Sequence, residues 1–153
     1  MLHQSFNRNL HKLIKKVEWP MYVINVDRNR RCSCIDHKTN DGDIHCPNCL
    51  GTGYQISIYK TNAVKQPFKT SSRSGSSDGS SIGSIVSRYY MDCSKGTLKL
   101  GDIIIHDKEI DVIKFVRTWR TDSSKNQYYE AYGVLKKYND DIILDNFYKI
   151  VGK

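Results

Sequence analysis

Two close pairs of cysteines, Cys32-Ser33-Cys34 and Cys46-Pro47-Asn48-Cys49, bracket a stretch that has almost nothing to bury. It runs from Ile35 to His45 and is rich in Asp, Asn, His and Gly. Ordering a backbone costs about 1–2 kcal/mol per residue. Apolar burial cannot offset that here, but a metal held by four thiolates can. Structural zinc sites contribute apparent binding energies of about 10–16 kcal/mol. The spacing therefore predicts one structural Zn2+ on Cys32, Cys34, Cys46 and Cys49. Such a site has no open position for water, and zinc brings no redox chemistry. The feature predicts an ordered loop rather than a reaction.

The second pair is the sharper half. Pro47 presets a turn dihedral, and Gly51 and Gly53 permit positive φ where the chain leaves the turn. The first pair, Cys-x-Cys, is tighter than the usual Cys-x2–4-Cys spacing. His37 and His45 stand close enough in sequence to replace a cysteine. Two other readings of the thiols stay open: reduced and free, or paired as disulfides, which need an oxidising compartment. The first residues, Met1 to Arg8, carry no apolar signal segment. Cys93 stands alone and reads as a small buried side chain.

At 153 residues the chain reads as a single domain, 1–153, with a metal-stapled insert. No apolar run approaches the ~20 residues that span a bilayer. The formal charge is +8, which a tetrathiolate zinc lowers to about +6. Basic residues gather early. Arg8, Lys12, Lys15 and Lys16 precede any acid, and Arg28, Arg30 and Arg31 abut the insert. Lys60, Lys65, Lys69 and Arg73 run unopposed until Asp78 and are candidate nucleic-acid-facing residues. The bland alternative is a solvated face or the complement of an acidic protein.

Phe6, Leu10, Leu13, Ile14 and Val17 fall at helical spacing and predict a short N-terminal helix within 1–19, ended by Pro20. Met21–Asp27 and Tyr54–Tyr59 read as strands that flank a zinc-binding insert at 31–54. Residues 70–84, mostly Ser and Gly, read as a flexible loop. Residues 85–153 read as the β-barrel half. Strands are expected at Ile85–Met91, Ile103–His106, Ile110–Arg120 and Gln127–Lys137, with Ile142–Ile150 finishing the sheet. The fold class is mainly β: a small barrel or sandwich with a short N-terminal helix and a zinc-stapled hairpin insert.

The sequence carries no phosphate loop, no nucleophile elbow and no His-Glu-x-x-His, so the chain is not expected to be an enzyme. The segment Cys46-Pro47-Asn48-Cys49-Leu50-Gly51-Thr52-Gly53 resembles one knuckle of the DnaJ-type zinc repeat. That family uses several copies and this chain has one, so chaperone activity is not implied.

A resemblance to small neck proteins of tailed bacteriophages, the head-completion or stopper type of head–tail connector, covers most of the chain. Members often begin with a short helix. Many carry a Cys-x-Cys … Cys-Pro-x-Cys-x-Gly-x-Gly insert, matched by Cys32, Cys34, Cys46, Cys49, Gly51 and Gly53. A barrel then follows, matched by Lys99-Leu100-Gly101-Asp102-Ile103-Ile104 and Tyr128-Tyr129-Glu130-Ala131. The resemblance implies a virion protein made in the host cytoplasm and placed in the neck. It would form a homo-oligomeric ring between portal or adaptor and tail proteins, with packaged DNA in the lumen and no membrane contact. Two alternatives differ in class. One is a zinc-containing nucleic-acid-binding protein using Arg28, Arg30, Arg31, Tyr22, Tyr54 and Tyr59. The other is a metal-stapled enzyme subunit, which would need a substrate pocket.

Overall fold

A computed structural model describes residues 12, 16, 18–69, 85–120, 127–136 and 140–152. Six antiparallel strands close on themselves: β1 (Trp19–Arg31), β2 (Tyr54–Lys69), β3 (Ile85–Asp92), β4 (Ile103–His106), β5 (Glu109–Arg120) and β6 (Gln127–Leu135). Around the barrel the order is β1-β2-β3-β6-β5-β4, and β4 returns to β1 through Tyr22↔Ile105, Val23↔Ile104 and Ile24↔Ile103. Closure pairs every strand with a neighbour on both sides over part of its length, which limits the free edges that are the usual liability of small β proteins. The expected N-terminal helix lies outside the described residues, Lys12 and Lys16 excepted. The expected Ser/Gly loop at 70–84 lies outside them too.

Inward positions follow the two-residue period of a strand. Met21, Val23, Ala63, Tyr89, Met91, Ile104, Ile113 and Ala131 fill the interior, with Leu98 closing over them. On β5 the alternation changes phase. Register shifts between Ile113 and Phe115, so Lys114 is a bulge residue. After it Phe115 faces out, and Val116 packs on the interior. The imperfect alternation of this segment in the sequence is that bulge: one extra residue inverts the in–out order downstream.

One end of the interior is polar. Lys65 Nζ lies 2.5 Å from Glu109 Oε2 and 3.4 Å from Asp111 Oδ2. The Tyr89 hydroxyl donates to the same Asp111 oxygen. Burial first, and then the Asp111 charge, hold the Tyr89 hydroxyl far above the ordinary tyrosine range. Below pH ~10 this hydroxyl is protonated in both the folded and unfolded chain. Above it the unfolded chain ionises first, so the fold loses up to ~1.4 kcal/mol per pH unit from this group. Tyr89→Phe is expected to make the alkaline loss shallower by about that amount, read by denaturant unfolding at successive pH values above 9.

The C-terminal segment corrects the sequence reading. Ile142–Ile150 does not finish the sheet; Asp140–Val151 is an α-helix, α1. β-branched residues at both ends of the segment suggest a strand, but Ile143, Leu144, Phe147 and Val151 recur at helical spacing. Asp140 and Asp141 also favour a helix start and Lys149 a helix end, by the macrodipole. α1 lies across the outside of the barrel. Ile143, Leu144 and Phe147 pack on Ile24, Ile103, Ile105 and Ile110. Phe147 meets Tyr22 edge-on, with ring centroids 5.1 Å apart. The helix explains why Ile103-Ile104-Ile105 is apolar without alternation: Ile104 faces the interior, while its neighbours lie under α1. No helix among the described residues is long and apolar enough to cross a membrane.

Candidate metal centre

The insert between β1 and β2 is held at its neck by the barrel hairpin. Cys32 N–H donates to Gly53 C=O at 2.8 Å, just beyond the Arg31↔Tyr54 pair. Inside the insert, turns take the place of a core. Asp36 C=O accepts from Asn40 N–H at 2.7 Å, and the Asp36 carboxylate accepts from Lys38 N–H. The Asp43 carboxylate accepts from His45 N–H at 2.9 Å. Short polar side chains bonding to backbone two residues on are the ordinary currency of tight turns.

The second cysteine pair sits on a knuckle. Leu50 N–H bonds back to Cys46 C=O, and Thr52 N–H to Cys49 C=O. The chain then leaves through positive φ at Leu50, Gly51 and Gly53, at 52°, 83° and 79°. At Gly51 and Gly53 the dihedral demands glycine; opposite them, at Gly42, space does. A Cβ on Gly42 would stand 2.3 Å from the Gly53 nitrogen.

These turns gather Cys32, Cys34, Cys46 and Cys49, with every Sγ within 4.8 Å of the others. Cys49 is fully buried, and Cys32 and Cys46 nearly so. Cys32 Sγ and Cys46 Sγ are 3.8 Å apart, and Cys34 Sγ and Cys49 Sγ 3.4 Å. A disulfide would need about 2.05 Å, and all four thiols are free. Tetrahedral coordination at a metal–sulfur distance of about 2.3 Å places sulfurs about 3.8 Å apart. The cluster therefore fits a metal ion at its centre.

The thiols titrate as a conflicted set. The Cys34 N–H bond to its sulfur draws Cys32 down to about 7. Cys34 is drawn down by a backbone hydrogen bond from Asp43, but burial and the other three thiols overcome this and push it up to about 12. Burial raises Cys49 against backbone hydrogen bonds from Gly53 and Gly51. Four sulfurs this close cannot all ionise alone, because each new charge opposes the next. A central cation removes the conflict, and the amide donors aimed at the sulfurs are the outer support that metal thiolates use.

No family model matches the chain, and no curated protein matches it.

The structure brings together the four predicted ligands and leaves out both histidines. His37 and His45 are exposed and stand outside the cluster. Changing both to Gln is expected to leave the metal content at its wild-type value, measured by elemental analysis. Cys93 is a half-buried single thiol away from the cluster. Two features were not apparent from the cysteine spacing. Leu50, inside the knuckle, is buried in the layer that joins α1 to the barrel. Asn146 of α1 donates to His45 C=O at 3.3 Å. The insert is thus tied to the C-terminal helix as well as to the hairpin. The signal available was a large apolar residue placed directly after the second cysteine pair.

Of the four basic residues marked in the sequence, Lys60 and Lys65 do not share a face. Lys65 is largely buried and paired with Glu109 and Asp111. Its side chain follows the inward positions of β2, whereas exposed Lys60 lies over the outer Tyr22 ring at 5.8 Å. Lys69 ends β2, and Arg73 lies outside the described residues.

Proposed function

We propose that this chain is a non-enzymatic structural protein of a tailed-bacteriophage neck, forming a homo-oligomeric ring between portal or adaptor and tail. The observation that carries the reading is the four-thiol cluster at the tip of the β1–β2 hairpin of a small closed barrel. It joins the cysteine–glycine insert and the barrel, the two parts on which the resemblance to connector proteins rests. Zn2+ is the ion that suits four thiolates in tetrahedral arrangement. With four protein ligands it keeps no position for water, so its role is to staple the insert, not to activate a nucleophile. The barrel interior is filled by side chains, which fits a wall element better than a substrate container.

In this reading the barrel is the wall of the ring, the insert a projecting contact module, and packaged DNA the content of the lumen. Electron microscopy of the purified protein tests it. Rings with a central opening are expected. A population of single small particles at high protein concentration would contradict the proposal, and a monomer that shifts short DNA would favour a zinc-containing nucleic-acid-binding protein.

A further inference from the structure

A surface groove lies where β1 leaves the barrel for the cysteine insert. It has a volume of about 610 Å3, and its walls include Arg28, Arg30, Lys99, Asn29, Gln55 and Leu100. A second groove of about 520 Å3, lined by Arg31, Cys32 and Asn48, shares Gln55 and Ile56 with the first. The two together form a trough from the barrel to the metal knuckle.

The cations of this trough are held ready for an anion. Register on β1 and β2 jumps between Asp27 and Arg31, so Arg28, Asn29 and Arg30 stand out of the ladder. The Arg28 guanidinium lies over the Tyr54 ring, 5.8 Å from its centroid. Gly101 lets it pass: a Cβ there would meet Arg28 Nη2 at 2.4 Å, and its φ of +90° also favours glycine. A guanidinium held between a ring and a bare backbone loses little further freedom on binding. Neither Arg28 nor Lys99 forms an ion pair among the described residues; Arg30 reaches Asp27 only loosely, at 3.7 Å on the exposed surface.

Two carboxylates line the first groove: exposed Asp27, which faces Arg30, and Asp102, which is buried and already engaged. Asp102 accepts from Asn25 Nδ2, Val26 N–H and Lys99 N–H at 2.8, 3.0 and 2.8 Å. Its bonds fix the turn that carries Lys99 and Gly101, so it builds the site.

We propose that this trough binds the phosphodiester backbone of a nucleic acid, with Arg28, Arg30 and Lys99 on the phosphates and Asn29 and Gln55 as neutral donors. The shape supports a strand over a point anion: two adjoining grooves carry cations along their length. The chemistry supports phosphate, which suits the planar fork of arginine and side-chain amide donors alike. The inference rests on the neck-protein reading only for the source of the DNA; the trough belongs to the single chain. It also reassigns the nucleic-acid-facing role, from Lys60, Lys65, Lys69 and Arg73 to residues beside the metal site.

The test uses the full-length, metal-loaded chain and a fluorescent 30-base-pair DNA. Binding is followed by anisotropy from ~50 mM salt upward, because phosphate contacts weaken with a log–log slope of about −0.9 per contact. Arg28→Gln with Lys99→Gln is expected to weaken binding at least about tenfold at low salt and to reduce the slope by about 1.8. Lys60→Gln, likewise exposed but outside the trough, is expected to change neither. Unchanged thermal unfolding confirms that both variants are folded. Equal losses in the two variants would mean general charge attraction and overturn the proposal, as would no binding by the wild type at low salt. Poly-glutamate bound as tightly as DNA would overturn it in favour of an acidic protein segment. The ring is judged separately by particle mass, so a monomer that passes this test refutes the ring and keeps the trough.

Discussion

Cys49→Ser is expected to lose the metal, to open the whole of residues 31–54 to amide exchange, and to lower global stability. Cys49 is the most deeply buried of the four thiols. The insert has few apolar anchors of its own, chiefly Ile35 and Leu50, so nothing replaces the metal once a ligand is gone. The effect reaches the barrel through two ties: Leu50 in the layer beneath α1 and the Asn146–His45 bond. A loss of more than about 3 kcal/mol is expected, lowering Tm by at least about 6 °C for a chain of this size. Elemental analysis, amide exchange and calorimetry on wild type and variant check the three parts. Unchanged exchange in the insert would show that the turns hold without the ion.

Phe147→Ala is the second large effect, and it probes the element that the sequence reading placed wrongly. Phe147 is fully buried between α1 and the barrel wall, edge-on to Tyr22. Truncating such a ring costs about 3–5 kcal/mol, because the surrounding strands cannot collapse into the cavity. The loss is expected as a lower denaturant midpoint with a nearly unchanged slope. Exposed Ile150, at 48 % relative accessibility on the same helix, provides the contrast. Ile150→Ala is expected within about 0.5 kcal/mol of wild type. Comparable losses at the two positions would mean that α1 does not rest on the barrel through Phe147. Combining Phe147→Ala with Leu50→Ala should give less than the sum of the two losses, since the residues share one cluster.

The cysteine cluster was legible because metal-ligand spacing is local: two pairs and a glycine exit fix most of the geometry within 22 residues, Cys32–Gly53. The β character was legible from alternation, and β4 from its apolar run between polar turns. α1 was not. Its apolar positions satisfy a helix, but Ile142-Ile143 and Ile150-Val151 also suit a strand. Only the outward apolar wall of Ile24, Ile103, Ile105 and Ile110, which the helix buries, decides that a helix must cover it. The role of Lys65 was not legible for a similar reason. Its partners Glu109 and Asp111 are more than 40 residues away and come together only when the barrel closes. Lys99 and Gly101 join Arg28 by the same closure. Charge runs along a sequence do not show which side chains share a face: Lys60 and Lys65 part to opposite sides of β2.

The most direct test of the account is native mass spectrometry of the purified full-length protein, prepared without chelator and then denatured in the same instrument. The account predicts a closed homo-oligomer carrying one zinc for every chain, dissociating on denaturation to metal-free chains. A monomer without bound metal would contradict both the ring and the staple on which it is built.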